Sequence, residues 1–169
     1  MTSIDRYAAI HAGHRWQVPA QFNIAHACCG RWAADRARFA LYWEDEGGET
    51  SRHTFWDLQR EANRLSNVLA SVGVKRGDKV ALVLPQRRET LVAHIAIYQM
   101  GAVAVPLSFL FGPDALEYRL DNSETTVVFV DPQSAGNLEP IRAKLPRLAH
   151  VFGVAGVRGA GYVDYDASV

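Results

Sequence analysis

Four short runs in the second half of the sequence are apolar beyond at most their first residue: Lys79 to Leu84, Ala102 to Val105, Thr126 to Val130, and His150 to Val154. A half-buried strand alternates apolar and polar residues. A strand that is apolar throughout fits a parallel sheet covered on both faces. Between the runs stand segments of helical spacing. One is Glu89 to Met100, ended by Gly101. The next opens at Gly112-Pro113-Asp114, with proline at the tolerated first helical position, and a third is predicted over Gly136 to Leu145. Pro85 and Pro106 are read as stops to the first two strands. Strand–helix alternation with short links implies right-handed crossovers and a doubly wound α/β sheet over residues 78–154.

Residues 1–75 have a different rhythm and are predicted to form a small helix/hairpin zone. Ile4 to His11 is a weak helix, and Asn23 is a good cap for a helix from Ile24 to Asp35. Phe39, Leu41 and Trp43 alternate as in a strand facing water on one side, and Glu46-Gly47-Gly48-Glu49 turns the chain back into Thr50 to His53. Thr54 can cap the next helix with Asp57 three residues on. That helix carries Phe55, Leu58, Ala62, Leu65, Leu69 and Val72 on one stripe, and Asp57, Arg60, Glu61 and Arg64 mark its wet side. Gly73 suits the left-handed position that ends it. Residues 155–169 read as a loop tail, with Asp164 and Asp166 solvated.

Charge narrows the function classes. Eighteen basic residues balance eighteen acidic ones, so no overall field draws in nucleic acid or anionic lipid. A small charged ligand needs only a local patch and is not excluded. The first residues lack a secretory pattern, no apolar run reaches the length of a membrane span, and the two cysteines, Cys28 and Cys29, are neighbours. A cytoplasmic location is the expectation.

Most catalytic motifs fail on spacing. Gly153, Gly156, Gly159 and Gly161 follow the fourth strand without dinucleotide-fingerprint spacing, and read as a loop. His26, Cys28 and Cys29 have no second ligand cluster, so small buried thiols are the simpler reading. No metal site is expected. His94 and Tyr98 stand one helical turn apart, as ordinary packing. Ligands of open α/β sheets bind beyond the carboxyl ends of the strands. That rule singles out Arg87 and Arg88 as anion contacts, against a solvated turn. It also singles out Ser108, Phe109, Phe111 and Gly112, whose phenylalanines line a pocket or pack beneath another part of the protein.

Thr54-Phe55-Trp56-Asp57-Leu58, Asn63-Arg64-Leu65, Gly73 to Ala81, Tyr98 to Leu107 with its Gly-Ala-x-x-x-Pro strand, and Pro113 to Val130 together resemble the adenylate-forming (AMP-binding) ligases. Phe22-Asn23-Ile24-Ala25 and Cys28-Cys29 give the flavour of short- and medium-chain acyl-CoA synthetases. The resemblance implies an incomplete, N-terminal part of a larger ligase domain, with the remainder of that domain as partner. Its chemistry would join a small-molecule carboxylic acid to coenzyme A by way of an acyl-adenylate. ATP, magnesium and coenzyme A are implied for the full-length parent, and no cofactor for this chain. The family's phosphate loop, its adenine-binding Tyr-Gly-x-Thr-Glu stretch and its late catalytic lysine have no counterpart in these 169 residues. No catalytic residue is therefore carried over. The family's coenzyme A turn, Phe-Gly-Gly, aligns with Ser108-Phe109-Leu110, and no arginine pair follows Val130. The alternative function is a non-catalytic nucleotide- or coenzyme A-binding, or subunit-interaction, module. An unrelated flavodoxin-like domain is disfavoured by the length of the match.

Overall fold

The computed structural model describes residues 6–169. Helix α1 spans Arg6–Gly13 and buries no residue; the first two residues of the helix predicted from Ile4 lie outside the described part. Helix α2 covers Ile24–Cys28, with the Asn23 side chain accepting from His26 N–H as predicted. The helix does not run on to Asp35. The chain tightens into a 3₁₀ turn over Gly30–Trp32. Gly30 passes close to α2 and to the following long helix, so a Cβ there would meet His26 Nδ1 at 3.3 Å and Gln59 Oε1 at 3.4 Å. Strands β1 (Phe39–Glu44) and β2 (Thr50–Thr54) form the antiparallel hairpin.

Helix α3 (Phe55–Ser71) starts with a full capping box: Thr54 Oγ1 accepts from Asp57 N–H, and Asp57 Oδ2 accepts from Thr54 N–H and Oγ1. Such a cap contributes about 1 kcal/mol. The hydrogen bonds from Thr54 hold the Asp57 carboxyl below its ordinary range. The helix buries Leu58, Ala62, Leu65 and Leu69 and ends at Gly73, whose φ of +92° is left-handed.

The sheet follows: β3 (Lys79–Val83), α4 (Arg88–Gln99), β4 (Val103–Leu107), α5 (Pro113–Asn122), β5 (Val127–Val130), α6 (Pro132–Leu138), β6 (His150–Gly153), β7 (Tyr162–Asp164) and α7 (Tyr165–Ser168). Its five strands are all parallel, in the order β4-β3-β5-β6-β7. Alternate strand residues feed two separate cores. Val80, Leu82, Val127, Phe129 and Phe152 pack on the side of α3, α4 and α7. Ala81, Val83, Val128, Val130 and Val151 pack on the side of α5 and α6. This two-sided burial is why β3, β5 and β6 read as unbroken apolar runs; β4, equally apolar, lies at the sheet edge and leaves Val103 exposed, so it is not covered on both faces.

Three further expectations need correction. Pro106 does not end its strand, because β4 is at the sheet edge and a missing N–H there leaves no ladder bond unmade. The helix predicted over Gly136–Leu145 begins four residues earlier, where Asp131 and Ser134 form a second capping box, and it tightens to 3₁₀ at Glu139-Pro140. Residues 155–169 are not simply a loop. They add β7 to the sheet and end in a short helix whose Tyr165 is fully buried. Asp164 caps that helix and pairs with Arg158, so it is not free in solvent.

Candidate functional site

The carboxyl ends of β3 and β4 open into a cavity of about 400 Å³. Its walls are Leu82, Leu84 and Pro85 from β3 and its exit, Thr90, Leu91 and His94 from α4, and Pro106 to Phe109 from β4. Local bonds fix its shape. Thr90 Oγ1 donates to Pro85 O at 2.7 Å, tying the first turn of α4 to the strand end. Trp43 Nε1–H, reaching across from the hairpin, donates to Gln86 O at 2.9 Å. Ser108 Oγ accepts from Leu110 N–H at 3.2 Å and holds the turn after β4. His94 lies 3.1 Å from the Tyr98 hydroxyl, and burial lowers its pKa below 6.5, which favours the neutral ring.

The six residues singled out from the sequence separate into three groups. Ser108 and Phe109 line the cavity. Phe111 and Gly112 lie past it toward α5. Arg119 sits 4.2 Å over the Phe111 ring, the Phe111 carbonyl accepts from Asn137 Nδ2, and Gly112 caps α5. Arg87 and Arg88 turn back on carboxylates. Arg87 Nε donates to Glu89 Oε2 at 2.7 Å, and Arg88 bonds Glu61 and pairs with Glu89. Burial alone would raise the Glu89 pKa. The hydrogen bond from Arg87, together with a backbone N–H and both arginine charges, outweighs it and leaves the carboxyl below its ordinary value. Glu61, placed on the wet side of α3 by periodicity, is instead half-buried and also accepts from the Tyr165 hydroxyl at 2.8 Å. This network clips α7 to α3 and α4.

Sequence reasoning left out Trp43 and Thr90 and read His94 only as packing. The available signal was the spacing of Thr90 and His94, four apart on the helix that leaves β3. Trp43 gave no signal, since its partner lies 43 residues away.

The profile of the AMP-binding enzyme family matches residues 29–162. The chain belongs to that family. Within it, the acetyl-coenzyme A synthetase of Bacillus subtilis (strain 168) is 34% identical over 151 residues, which is 86% of this chain and 26% of that protein. The crystal structure of the Brucella canis acyl-CoA synthetase superposes with a TM-score of 0.85 at 25% identity, over 98% of this chain and 32% of that one. The anthranilate CoA ligase AuaEII, in complex with anthranoyl-AMP, superposes with a TM-score of 0.81 at 25% identity over 89% of this chain and 28% of that one. The chain thus spans about a quarter of the length of the curated relatives it matches. The doubly wound sheet read from the sequence matches part of these AMP-binding ligase structures. No helix among the described residues is long and apolar enough to cross a membrane.

The cavity does not fit a nucleoside triphosphate. No lysine or arginine lines it, and its one basic ring is held toward neutrality. Among the described residues there is also no group of three metal-ligating side chains.

Proposed function

We propose that this AMP-binding family chain is the N-terminal part of an ATP-dependent acyl-CoA synthetase and is not catalytic alone. In the whole enzyme a carboxylate attacks the α-phosphate of ATP, giving an acyl-adenylate and pyrophosphate. The thiol of coenzyme A then displaces AMP. The observation that carries the reading is the family match over residues 29–162, taken with the lack of a phosphate loop in the 169 residues. ATP and magnesium would be held by the remainder of the ligase domain. The contribution of this chain is the parallel sheet and the cavity at the ends of β3 and β4, with Ser108 and Phe109 at the turn that the family resemblance aligns with its coenzyme A turn.

Two measurements test this. Purified chain, ATP, coenzyme A and a set of short- and medium-chain acids should release no pyrophosphate above the enzyme-free rate. Sustained release overturns the claim that it is inactive. Replacing the matching quarter of the Bacillus subtilis acetyl-coenzyme A synthetase with this chain should restore thioester formation. A folded chimera that binds ATP but makes no acyl-adenylate overturns the ligase assignment.

A further inference from the structure

The most exposed large apolar side chains lie together in the sequence. Residues 6–24 are exposed throughout, and among the described residues neither core draws on any residue before Ala25. Within this arm Ile10, Trp16, Val18 and Phe22 are 72%, 86%, 82% and 67% exposed. The arm is fastened at its base, where Asn23 Nδ2 donates to Tyr98 O and Gln99 O at 3.3 and 3.2 Å and caps the last turn of α4. Upstream of that point the chain is folded all the same. Helix α1 has 8 residues and buries none of them. An isolated helix shorter than about 12–15 residues is marginal in water, and packing normally supplies its stability. Single exposed apolar residues are common on soluble proteins, whereas a continuous stretch of them marks a contact surface.

Two comparisons bear on what the arm contacts. The family profile starts at residue 29, past the arm. The superposition on the Brucella canis acyl-CoA synthetase takes in 98% of the 169 residues, which leaves no room to omit the arm. A segment that adds nothing to this chain's own cores therefore keeps its course in an enzyme of which the chain covers only 32%. We propose that residues 6–24 form a strap that docks on the remainder of the ligase domain, with Trp16 and Phe22 as its buried anchors. The proposal rests on the reading of this chain as the N-terminal part of a larger ligase. Large aromatic side chains suit the anchoring role because each buries a wide apolar area with few rotatable bonds.

Hydrogen exchange read by mass spectrometry tests this on three proteins: the isolated chain, the Brucella canis enzyme, and a chimera joining this chain to the remainder of that enzyme. Residues 9–22 should exchange fast in the isolated chain. In the chimera they should exchange at least about tenfold more slowly, a change that burying one phenylalanine-sized side chain suffices to give. The matching segment of the Brucella canis enzyme should be as slow. The double variant W16A/F22A should return the arm of the chimera close to the isolated-chain rate. It should leave the melting temperature of the isolated chain unchanged, since neither side chain is buried there. A chimera that makes acyl-adenylate while its arm exchanges as fast as in the isolated chain overturns the docking and leaves the ligase reading intact. A folded chimera with a slow arm and no acyl-adenylate upholds the docking and counts against the ligase reading. Fast exchange of the matching segment in the Brucella canis enzyme overturns the proposal. So does an arm already protected in the isolated chain; if sedimentation then shows dimers, the partner is a second copy.

Discussion

The central sheet and the N-terminal hairpin are both built of strands, yet they hold their shape by different means. In β3, β5 and β6 nearly every side chain is buried, and alternate residues serve two cores. In β1 and β2 no residue is fully buried, and outward rings and arginines stack on one another in water. Burial stabilises by the apolar area removed from water, roughly 25 cal/mol per Å². Exposed stacking yields little, because both states are hydrated. The sheet is therefore intolerant of substitution, and the hairpin is free to vary or to carry an external contact.

The sharpest way to break this contrast is Phe129→Ala. Phe129 is fully buried, stacked 4.8 Å from its register partner Phe152 and 6.3 Å edge-on to Tyr165. Urea unfolding should show a loss of about 3–5 kcal/mol, and a loss near that of a hairpin change would mean the two regions are not distinct. Next, Tyr165→Phe keeps the buried ring and deletes the hydrogen bond to Glu61. It should cost about 1.5–3 kcal/mol, with raised hydrogen exchange at α7; an unaffected midpoint would show that the clip is not engaged in solution.

Acid offers a smaller effect with a definite sign. The folded-state pKa of Glu89 is depressed from 4.5, so its contribution is present above that value and is lost as pH falls below it. His94, also depressed from its ordinary 6.5, gains a proton more readily unfolded, so stability declines as pH falls below 6.5. Unfolding followed against pH should show both declines, and the upper one should vanish in His94→Gln. Tyr42→Ala closes the series. It removes one exposed stack and should cost about 1 kcal/mol or less; a cost rivalling that of Phe129→Ala would erase the comparison.

Much of the fold was legible because its causes are local. The Thr54–Asp57 box, the left-handed Gly73, Pro113 at a helix start and the apolar runs of β3, β5 and β6 each follow from a few neighbouring residues. Reading stopped where a partner sits far along the chain. Pro106 reads as a stop until β4 is known to lie at the edge. Asp164 and Tyr165 read as tail until β6 offers its free side to β7 and Glu61 offers an acceptor to Tyr165.

For the site the division is the same. The rule that open sheets bind ligands past their strand ends placed Ser108 and Phe109 beside the cavity. The same rule singled out Arg87 and Arg88 as anion contacts; Arg87 bonds its near neighbour Glu89, and that Arg88 meets Glu61 was not legible because it depends on where α3 packs. By itself the sequence determined the family, the alternation of strands and helices, and the caps that begin and end them, all written in short-range spacing. Only the tertiary structure decided which charges are neutralised and which stand exposed. Charge balance along a chain is a sum, whereas pairing depends on distances that folding alone sets.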